Sequence, residues 1–287
     1  MKNNVSTICL VSMIILGDIL LTLKFFGNAW NDILGATLAF ASAGIVLFAA
    51  KYALNNFSSC KFKYKNTFNL TALIISVLLL IITALYVAFN FSLYVVKIML
   101  PWQNITLPFV LIAVISIFLA LNGKTVLYKL SVLALPMIIA IIIFMFSFSV
   151  QFMNVKYLLP YKPLNKDILS AFCPVFLNLL SSSIPILFLL KNQKNKPLLI
   201  SFGLSFAVYI ICVVNVLGIF GSELAQTLSY PYSVAVSTAA MGEIFSRLDG
   251  FFYAVAFFTA LVKVGACLYS AKEIVVLIIY RAKVKKF

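Results

Sequence analysis

Apolar runs of membrane-spanning length follow one another along almost the whole chain, and they constrain its fold more than any other feature. A helix needs about 20 mostly apolar residues to cross the hydrocarbon core of a bilayer. The 287 residues are 64% hydrophobic and only 10% charged, whereas a typical soluble domain carries about a quarter charged residues. No water-exposed fold has a core large enough for so many apolar side chains. The sequence therefore predicts an all-α polytopic integral membrane protein.

These runs predict about eight spans. They lie at residues 5–26, 32–52, 70–91, 106–122, 129–150, 168–190, 197–220 and 250–271. We expect residues 92–100 to extend the third helix near the interface, and the last helix to continue toward Tyr280. Since no segment between the runs is long enough for a separate domain, residues 1–287 are predicted to form a single integral membrane domain.

The positions of the basic residues predict the orientation of the spans. Cytoplasmic loops of helical membrane proteins carry an excess of lysine and arginine. With the N-terminus inside, the segments predicted to be cytoplasmic hold most of the basic residues, including those within 61–65, 191–196 and 281–286. An even number of spans then places both termini in the cytoplasm.

Composition excludes several classes of function. The chain has no histidine and only 7 Asp and Glu residues, so the commonest general base and metal ligand is missing. We therefore expect neither an enzyme nor a protein with a metal or other cofactor. The net charge of +15 comes from lysines scattered among short loops, which is typical of membrane topology and not of nucleic-acid binding.

Two ionisable residues inside the predicted spans are candidate functional residues. Such a side chain costs roughly 3 kcal/mol in the hydrocarbon on insertion scales, so it is usually paired, water-facing or functional. Lys263 lies about 20 Å from Gly250 along the last span, and Asp18 follows Gly17 in the first. Lys263 is interpreted either as a structural ion pair or snorkelling cation, or as a site for a coupling ion or a carboxylate. Asp18 is interpreted either as part of a ligand or ion site or as a carboxylate near the outer interface that reaches water.

The Gly17–Asp18 pair has two further consequences. Both residues are weak helix formers, so the first helix is expected to loosen there, and membranes tolerate freed backbone groups only beside a cavity. Counting helical rises places Asp18 within about 8 Å of Lys263 along the membrane normal. A direct or water-bridged pair that holds the last span against the first is therefore a hypothesis.

The sixth span carries several residues that weaken a helix. It reads AFCPVFLNLLSSSIPILFLL, with proline, asparagine and serine at these positions: Pro174, Asn178, Ser181, Ser182, Ser183 and Pro185. One interpretation is a kinked span packed by small residues. The other is a discontinuous helix that binds a ligand near the midplane, because inverted-repeat transporters build such sites from interrupted helices in both halves.

The segment before the last span, SYPYSVAVSTAAMGEIFSRLD, is predicted to lie on the outer side. Pro231 is expected to begin an amphipathic helix that ends near Arg247. Glu243 and Arg247 have the i, i+4 spacing at which helical side chains pair. By itself such a helix is most often a solvated face.

Several stretches, in this order, resemble the B-subunit family of GerA-type spore germinant receptors. This family, also called spore germination permeases, belongs to the amino acid/polyamine/organocation transporter superfamily. The resemblance rests on ILGDILLTL, GNAWNDILGATLAF, NGKTVLYKLSVLALPMIIAII and YLLPYKPLNKDILSAFCPVFL. It is greatest over YPYSVAVSTAAMGEIFSRLDGFFYAVAFFTALVKVGACLYSA, which is similar to the family's Tyr-Pro block, its Glu-Arg-Leu-Asp and the lysine-containing helix that follows. Ser246 replaces the Glu before Arg-Leu-Asp.

The resemblance implies a LeuT-like inverted-repeat fold with a shortened second half, because the family typically has more spans than are predicted here. It also implies a B-type subunit of the inner spore membrane that binds a small germinant such as an amino acid. This subunit would act with an A-type membrane subunit and a C-type lipoprotein, and ion release would follow. The alternatives are an amino acid or cation permease that uses the same cavity, and an assembly scaffold that binds no ligand.

The resemblance also implies roles for particular residues. The implied ligand- or ion-binding residues line one cavity: Gly17, Asp18, Pro174, Asn178, Ser181, Ser182, Ser183 and Lys263. The implied coupling residues lie in the outer loop: Glu243, Arg247 and Asp249.

Overall fold

The computed structural model describes residues 2–19, 22–26, 29–59, 67–99, 104–158, 165–190, 195–238 and 249–284. Within these ranges the chain is helical apart from short connections, which confirms the predicted all-α class. The α-helices in chain order are α1 (Lys2–Ile19), α2 (Ala29–Ser59), α3 (Thr67–Tyr94), α4 (Thr106–Leu121), α5 (Lys124–Ser149), α6 (Asn165–Leu189), α7 (Asn195–Thr227), α8 (Pro231–Thr238) and α9 (Asp249–Val284).

Six segments of these described helices are long and apolar enough to cross a membrane: Ala29–Tyr52, Thr71–Ile98, Lys124–Phe152, Ile168–Leu189, Asn195–Thr227 and Gly250–Ile279. Two shorter apolar segments, Asn4–Gly17 and Thr106–Leu121, coincide with the first and fourth predicted spans. The 16 residues of α4 rise only about 24 Å, against a hydrocarbon core of about 30 Å. An integral membrane protein is thus confirmed, with six spans supported by length and composition where about eight are predicted.

The first helix is shorter than the predicted span 5–26. α1 ends at Ile19, and residues 23–26 have no regular secondary structure. The weak helix formers Gly17 and Asp18 lie in the last turn of α1, and residues 22–26 are not helical. A helix as far as residue 26 is therefore a wrong prediction, whereas the loosening expected near Gly17 and Asp18 matches the position of the helix end.

The sixth helix is continuous from Asn165 to Leu189, with Pro174 and Pro185 inside it. The hypothesis of a discontinuous sixth helix is therefore wrong. Each serine between the prolines donates its hydroxyl proton to a carbonyl oxygen of the preceding turn: Ser181 and Ser182 to Asn178, and Ser183 to Leu180. Hydroxyl groups of this kind and packing by neighbouring helices allow a membrane helix to continue through proline.

Three other predicted boundaries can be compared with the structure. The expected extension of the third helix is confirmed, since α3 continues as a π-helical turn over Val95–Met99. The last helix continues beyond residue 271, as expected, and reaches Val284. α8 begins at Pro231 as predicted and its described part ends at Thr238, whereas residues 239–248 lie outside the described ranges.

α7 is interrupted near its end by Gly221. The φ angle of this residue is 70°, a conformation that glycine adopts readily and other residues rarely do. One turn earlier, the carbonyl oxygen of Gly218 accepts a hydrogen bond of 2.8 Å from the peptide N–H of Asn154. The interruption changes the direction of the chain shortly before α8.

α1 and α9 lie in the interior of the helix bundle. In the most apolar 18-residue stretch of α9, 67% of the residues are buried, against 22% in the corresponding stretch of α3. α9 packs against α1, α3, α4, α5 and α6, and α1 also packs against α5, α6 and α7. Small residues allow membrane helices to approach closely, and Ala256, Ala260 and Ala266 of α9 are fully buried. Lys263 therefore lies among helices and not against lipid.

Candidate functional site

Lys263 lies at the centre of the candidate site. It belongs to α9, and its relative exposure is 0%. Its Nζ atom donates hydrogen bonds to the Oγ atoms of Ser182, at 2.8 Å, and Ser181, at 3.2 Å, both on α6. Two neutral hydroxyl groups thus accept from the ammonium inside the bundle, and because Lys263 is fully buried its snorkelling interpretation is wrong.

Ser182 connects three helices. Its Oγ atom lies 3.3 Å from the carbonyl oxygen of Ile14 on α1 and 2.9 Å from that of Asn178 on α6. Its single proton can be donated to either oxygen, and in both cases its lone pairs remain able to accept from Lys263. As a result, α1, α6 and α9 meet at one hydroxyl group.

Asn178 extends this hydrogen-bonded group to the non-helical segment after α1. Its carbonyl oxygen accepts from the Ser181 hydroxyl at 2.7 Å, and its Nδ2 atom donates to the Oγ1 atom of Thr22 at 2.7 Å. At the other end of the same segment, the peptide N–H of Phe26 donates to Oδ1 of Asp32 on α2, at 3.1 Å. The segment 22–26 is therefore tied at one end to α6, next to Lys263, and at the other end to α2.

Gly17 is a point of close approach between α1 and α9. A Cβ atom at this position would lie 2.7 Å from Cβ of Lys263, 2.9 Å from its Cδ atom and 2.9 Å from the carbonyl oxygen of Thr259. A residue with a Cβ atom does not fit in this arrangement, and glycine does. The side chain of Lys263 therefore packs directly against the backbone of α1.

Other residues predicted for the site are placed differently. Pro174 lies about 10 Å from Ser181 along α6, outside the group that surrounds Lys263. Ser183 has an exposure of 7% and directs its hydroxyl to the Leu180 carbonyl oxygen of its own helix, at 2.6 Å. The structure therefore brings Lys263 together with Gly17, Asn178 and two of the three predicted serines.

Four predicted residues cannot be compared at the level of side chains. Asp18 lies in the last turn of α1, beside Gly17, but its side chain is outside the described residues. Its pairing with Lys263 stays a prediction. Glu243 and Arg247 also lie outside the described residues, and Asp249 is described only by its backbone, at the start of α9.

Two members of the hydrogen-bonded group around Lys263, Thr22 and Ile14, are not singled out by the sequence. Thr22 accepts a hydrogen bond from Asn178. Its only distinguishing feature in the sequence is that it is polar and follows the weak helix formers Gly17 and Asp18 closely. Ile14 contributes its carbonyl oxygen, and a backbone atom of an apolar helix gives no signal in a sequence.

The arrangement is suited to the recognition of an anion. The Ser181 and Ser182 hydroxyls that accept from the Lys263 ammonium are neutral, whereas a carboxylate would add the attraction between opposite charges, which is strong where water is excluded. A carboxylate that reaches Nζ therefore competes well with the two serines. Within the described part of the chain, no group of three or more His, Cys, Asp or Glu residues could hold a metal ion.

One protein-family model matches a part of the chain that includes most of the residues around Lys263. The family model described as spore germination protein matches residues 72–285, a range that includes Asn178, Ser181, Ser182 and Lys263 but not Gly17. No curated protein matches the chain. The family match extends over most of the sequence and confirms its resemblance to GerA-type germination permeases. The chain belongs to the spore germination protein family.

Proposed function

We propose that this chain is the B-type membrane subunit of a spore germinant receptor, and that a small germinant, an amino acid, binds between α1, α6 and α9 at Lys263. Family membership supports the role in germination. The observation that carries the site is the fully buried Lys263 ammonium, 2.8 Å from Ser182 and packed against Gly17. An ionisable residue inside a membrane protein marks a ligand or ion site by default, because its burial is costly.

In this proposal the carboxylate of the germinant takes the place of the serine hydroxyls at Lys263. Lys263 and Ser182 both have 0% exposure, so the ligand enters only when α1 or α6 moves away from α9. The carboxylate adds the attraction between opposite charges to the hydrogen bond, and this attraction favours the bound state. The change at Ser181 and Ser182 reaches Thr22 through Asn178, so binding alters the segment 22–26 and leads to ion release.

The proposal extends to the architecture and the partners. The mutual packing of α1, α6 and α9 supports a LeuT-like inverted-repeat fold with a shortened second half, in which the first, sixth and last spans surround the ligand. Residues 1–287 form a single domain with both termini in the cytoplasm. The protein lies in the inner spore membrane and acts with an A-type membrane subunit and a C-type lipoprotein.

A second candidate function is an assembly scaffold that binds no germinant. The observation in its favour is that Lys263 already has hydrogen-bond partners on α6 and packs against Gly17 on α1. A lysine with such contacts can serve as a structural link among three helices without any ligand.

Thermal unfolding of the purified full chain in detergent, alone and with its A-type and C-type partners, separates the two functions. A ligand at about 100 times its Kd stabilises the native state by about 2.7 kcal/mol. From a panel of amino acids, nucleosides and monovalent cations, we expect one amino acid to raise the Tm with concentration and Lys263→Met to abolish this shift. Lys272→Met is the matched control, because Lys272 lies exposed on the same helix, 3.5 Å from the Leu121 carbonyl oxygen.

A second variant keeps the test informative if Lys263→Met does not fold. Ser182→Ala removes one of the hydroxyls that compete with the germinant for the ammonium, so we expect its shift to appear at a lower amino-acid concentration than in the wild-type chain. An unchanged or higher concentration contradicts the exchange at Lys263. If no compound raises the Tm of the wild-type chain, even with both partners present, the receptor proposal is wrong and the scaffold is favoured.

A further inference from the structure

An apolar cavity of about 70 Å³ lies where α4 meets α3 and α9. Its walls include two residues from α3 and its π-helical turn, two from α4 and two from α9: Phe91 and Val95, Leu107 and Leu111, and Tyr253 and Phe257. The described residues that line it carry one polar side-chain group, the hydroxyl of Tyr253. Apolar cavities in proteins stay dry and accept apolar molecules. This cavity is therefore suited to an apolar guest and not to a water molecule or an ion.

Three aromatic rings form one wall of the cavity and hold one another in place. The ring centroid of Phe91 lies 5.8 Å from that of Tyr253 and 5.8 Å from that of Phe257. The rings of Tyr253 and Phe257 are nearly parallel, with an angle of 18° and centroids 6.3 Å apart. Aromatic pairs attract one another at centroid separations of about 4.5–7 Å. The wall is thus formed by mutual contacts of its rings and does not have to rearrange before a guest enters.

The cavity adjoins the exposed face of α4. Leu107 and Leu111 also line a shallow depression of about 520 Å³, which follows α4 from Thr106 to Ile115, a rise of about 14 Å. Val110 and Val114, which also line the depression, are 56% and 59% exposed. Because the chain is an integral membrane protein, the acyl chains of the surrounding lipid have direct access to this apolar face.

Size and charge select among apolar guests. The volume of 70 Å³ is less than half of the roughly 150 Å³ that holds a benzene molecule, so a narrow hydrocarbon chain fits and a ring does not. Lys97 directly follows Val96 of the cavity wall and lies exposed near the end of the membrane-crossing segment Thr71–Ile98. A lysine near the end of a span extends its ammonium toward the interface, which is where the phosphate groups of lipids lie.

We propose that the cavity and the depression bind one acyl chain of a phospholipid, and that Lys97 contacts the phosphate of the same lipid. The acyl chain lies along α4 between Thr106 and Ile115, with part of its length in the cavity against Phe257. The site lies on the outside of the bundle and does not depend on germinant binding. Phe257 precedes Lys263 by less than two turns of α9, so the bound lipid packs on the helix that carries the buried ammonium.

Photolabelling by a lipid tests the site in the full chain, reconstituted in nanodiscs. The probe is a phosphatidylglycerol with a diazirine in one acyl chain, added to phosphatidylcholine at increasing mole fractions, and peptide mass spectrometry locates the labelled residues. We expect the label on Leu111 and Phe257 to saturate at a low mole fraction. The label on Leu85, a lipid-facing residue of α3 that is 52% exposed, is expected to rise in proportion to the probe. Labels on Leu111 and Phe257 that rise as the Leu85 label does would overturn the proposal.

Two substitutions distinguish the contributions of the acyl chain and the headgroup. Leu111→Trp fills the cavity with an indole ring and is expected to remove the saturable label from Phe257. Leu85→Trp, at a leucine of similar exposure, is the matched control and is expected to leave that label unchanged. Lys97→Gln is expected to raise the mole fraction at half-saturation about fivefold, the effect of one lysine near an anionic headgroup.

Two further outcomes contradict the site. Saturation that is unchanged in both Leu111→Trp and Lys97→Gln overturns the proposal. Loss of the Phe257 label from the wild-type chain when the A-type partner is added also overturns it, and it indicates that a helix of that protein covers this surface.

Discussion

Replacement of Gly17 by alanine tests the packing of α1 against Lys263. The new Cβ atom would lie 2.7 Å from Cβ of Lys263 and 2.9 Å from the carbonyl oxygen of Thr259. Carbon atoms in contact are ordinarily about 3.5–4.0 Å apart. The atoms that the new methyl group overlaps are a backbone oxygen and the first atom of a side chain, and neither can rotate away. α1 therefore has to move from α9 by about 1 Å.

Three contributions set the size of the effect. Alanine is favoured over glycine in a helix interior by about 0.5–1 kcal/mol. Overpacking of a well-packed interior costs about 1–3 kcal/mol. Movement of α1 also lengthens the 3.3 Å contact between the Ser182 hydroxyl and the Ile14 carbonyl oxygen, a small loss because the same proton has the nearer Asn178 carbonyl oxygen at 2.9 Å. We therefore expect Gly17→Ala to lower the free energy of unfolding by about 1–2 kcal/mol, which is the overpacking cost less the gain in helix propensity.

Chemical denaturation of the detergent-solubilised chain measures this difference. Gly203→Ala is the matched control, because Gly203 lies in α7 and no atom among the described residues lies within 4 Å of its Cβ position. Helix propensity alone acts there, so Gly203→Ala is expected to raise the free energy of unfolding by about 0.5–1 kcal/mol. If Gly17→Ala stabilises the protein as much as Gly203→Ala does, α1 and α9 are not packed in this way.

Two further predictions concern the hydrogen bonds around Lys263. Ser182→Ala leaves a buried ammonium without one acceptor and is expected to lower the free energy of unfolding by about 1–3 kcal/mol, measured by denaturation. Ser183→Ala, which removes a hydroxyl bonded within α6, is expected to cost less, and equal losses would contradict the role of Ser182. Thr22→Val removes the acceptor of the 2.7 Å bond from Asn178 and is expected to speed amide hydrogen exchange in residues 23–26, measured by mass spectrometry. Unchanged exchange would show that Asn178 does not hold this segment.

Much of the helical framework could be predicted because the bilayer imposes a length on apolar runs. Lys263 and the serines of α6 could be singled out for a related reason, since polar groups in a membrane are costly unless they find partners. The contact between Lys263 and the serines has the same cause, because a buried ammonium needs acceptors and Ser181 and Ser182 supply two of them.

The continuity of α6, the end of α1 and the contacts of the segment after it depend on packing between helices, which the sequence does not show. Pro174 and Pro185 are compatible with a kinked, a broken or a continuous helix, and back-bonded serines and packing against other helices decide among these. The end of α1 at Ile19 and the contact of Thr22 with Asn178 depend likewise on how the chain packs after α1.

The dependence of affinity on the carboxylate of the ligand decides whether Lys263 is a binding residue. The measurement is the Kd of the wild-type chain for the amino acid that raises its Tm and for the carboxamide of the same amino acid. A hydrogen bond to a charged group contributes about 1.5–3 kcal/mol, so we expect the carboxamide to bind about 10 to 150 times more weakly, with the difference largely lost in Lys263→Met. Equal affinity of the wild-type chain for acid and carboxamide would contradict recognition of a carboxylate by Lys263.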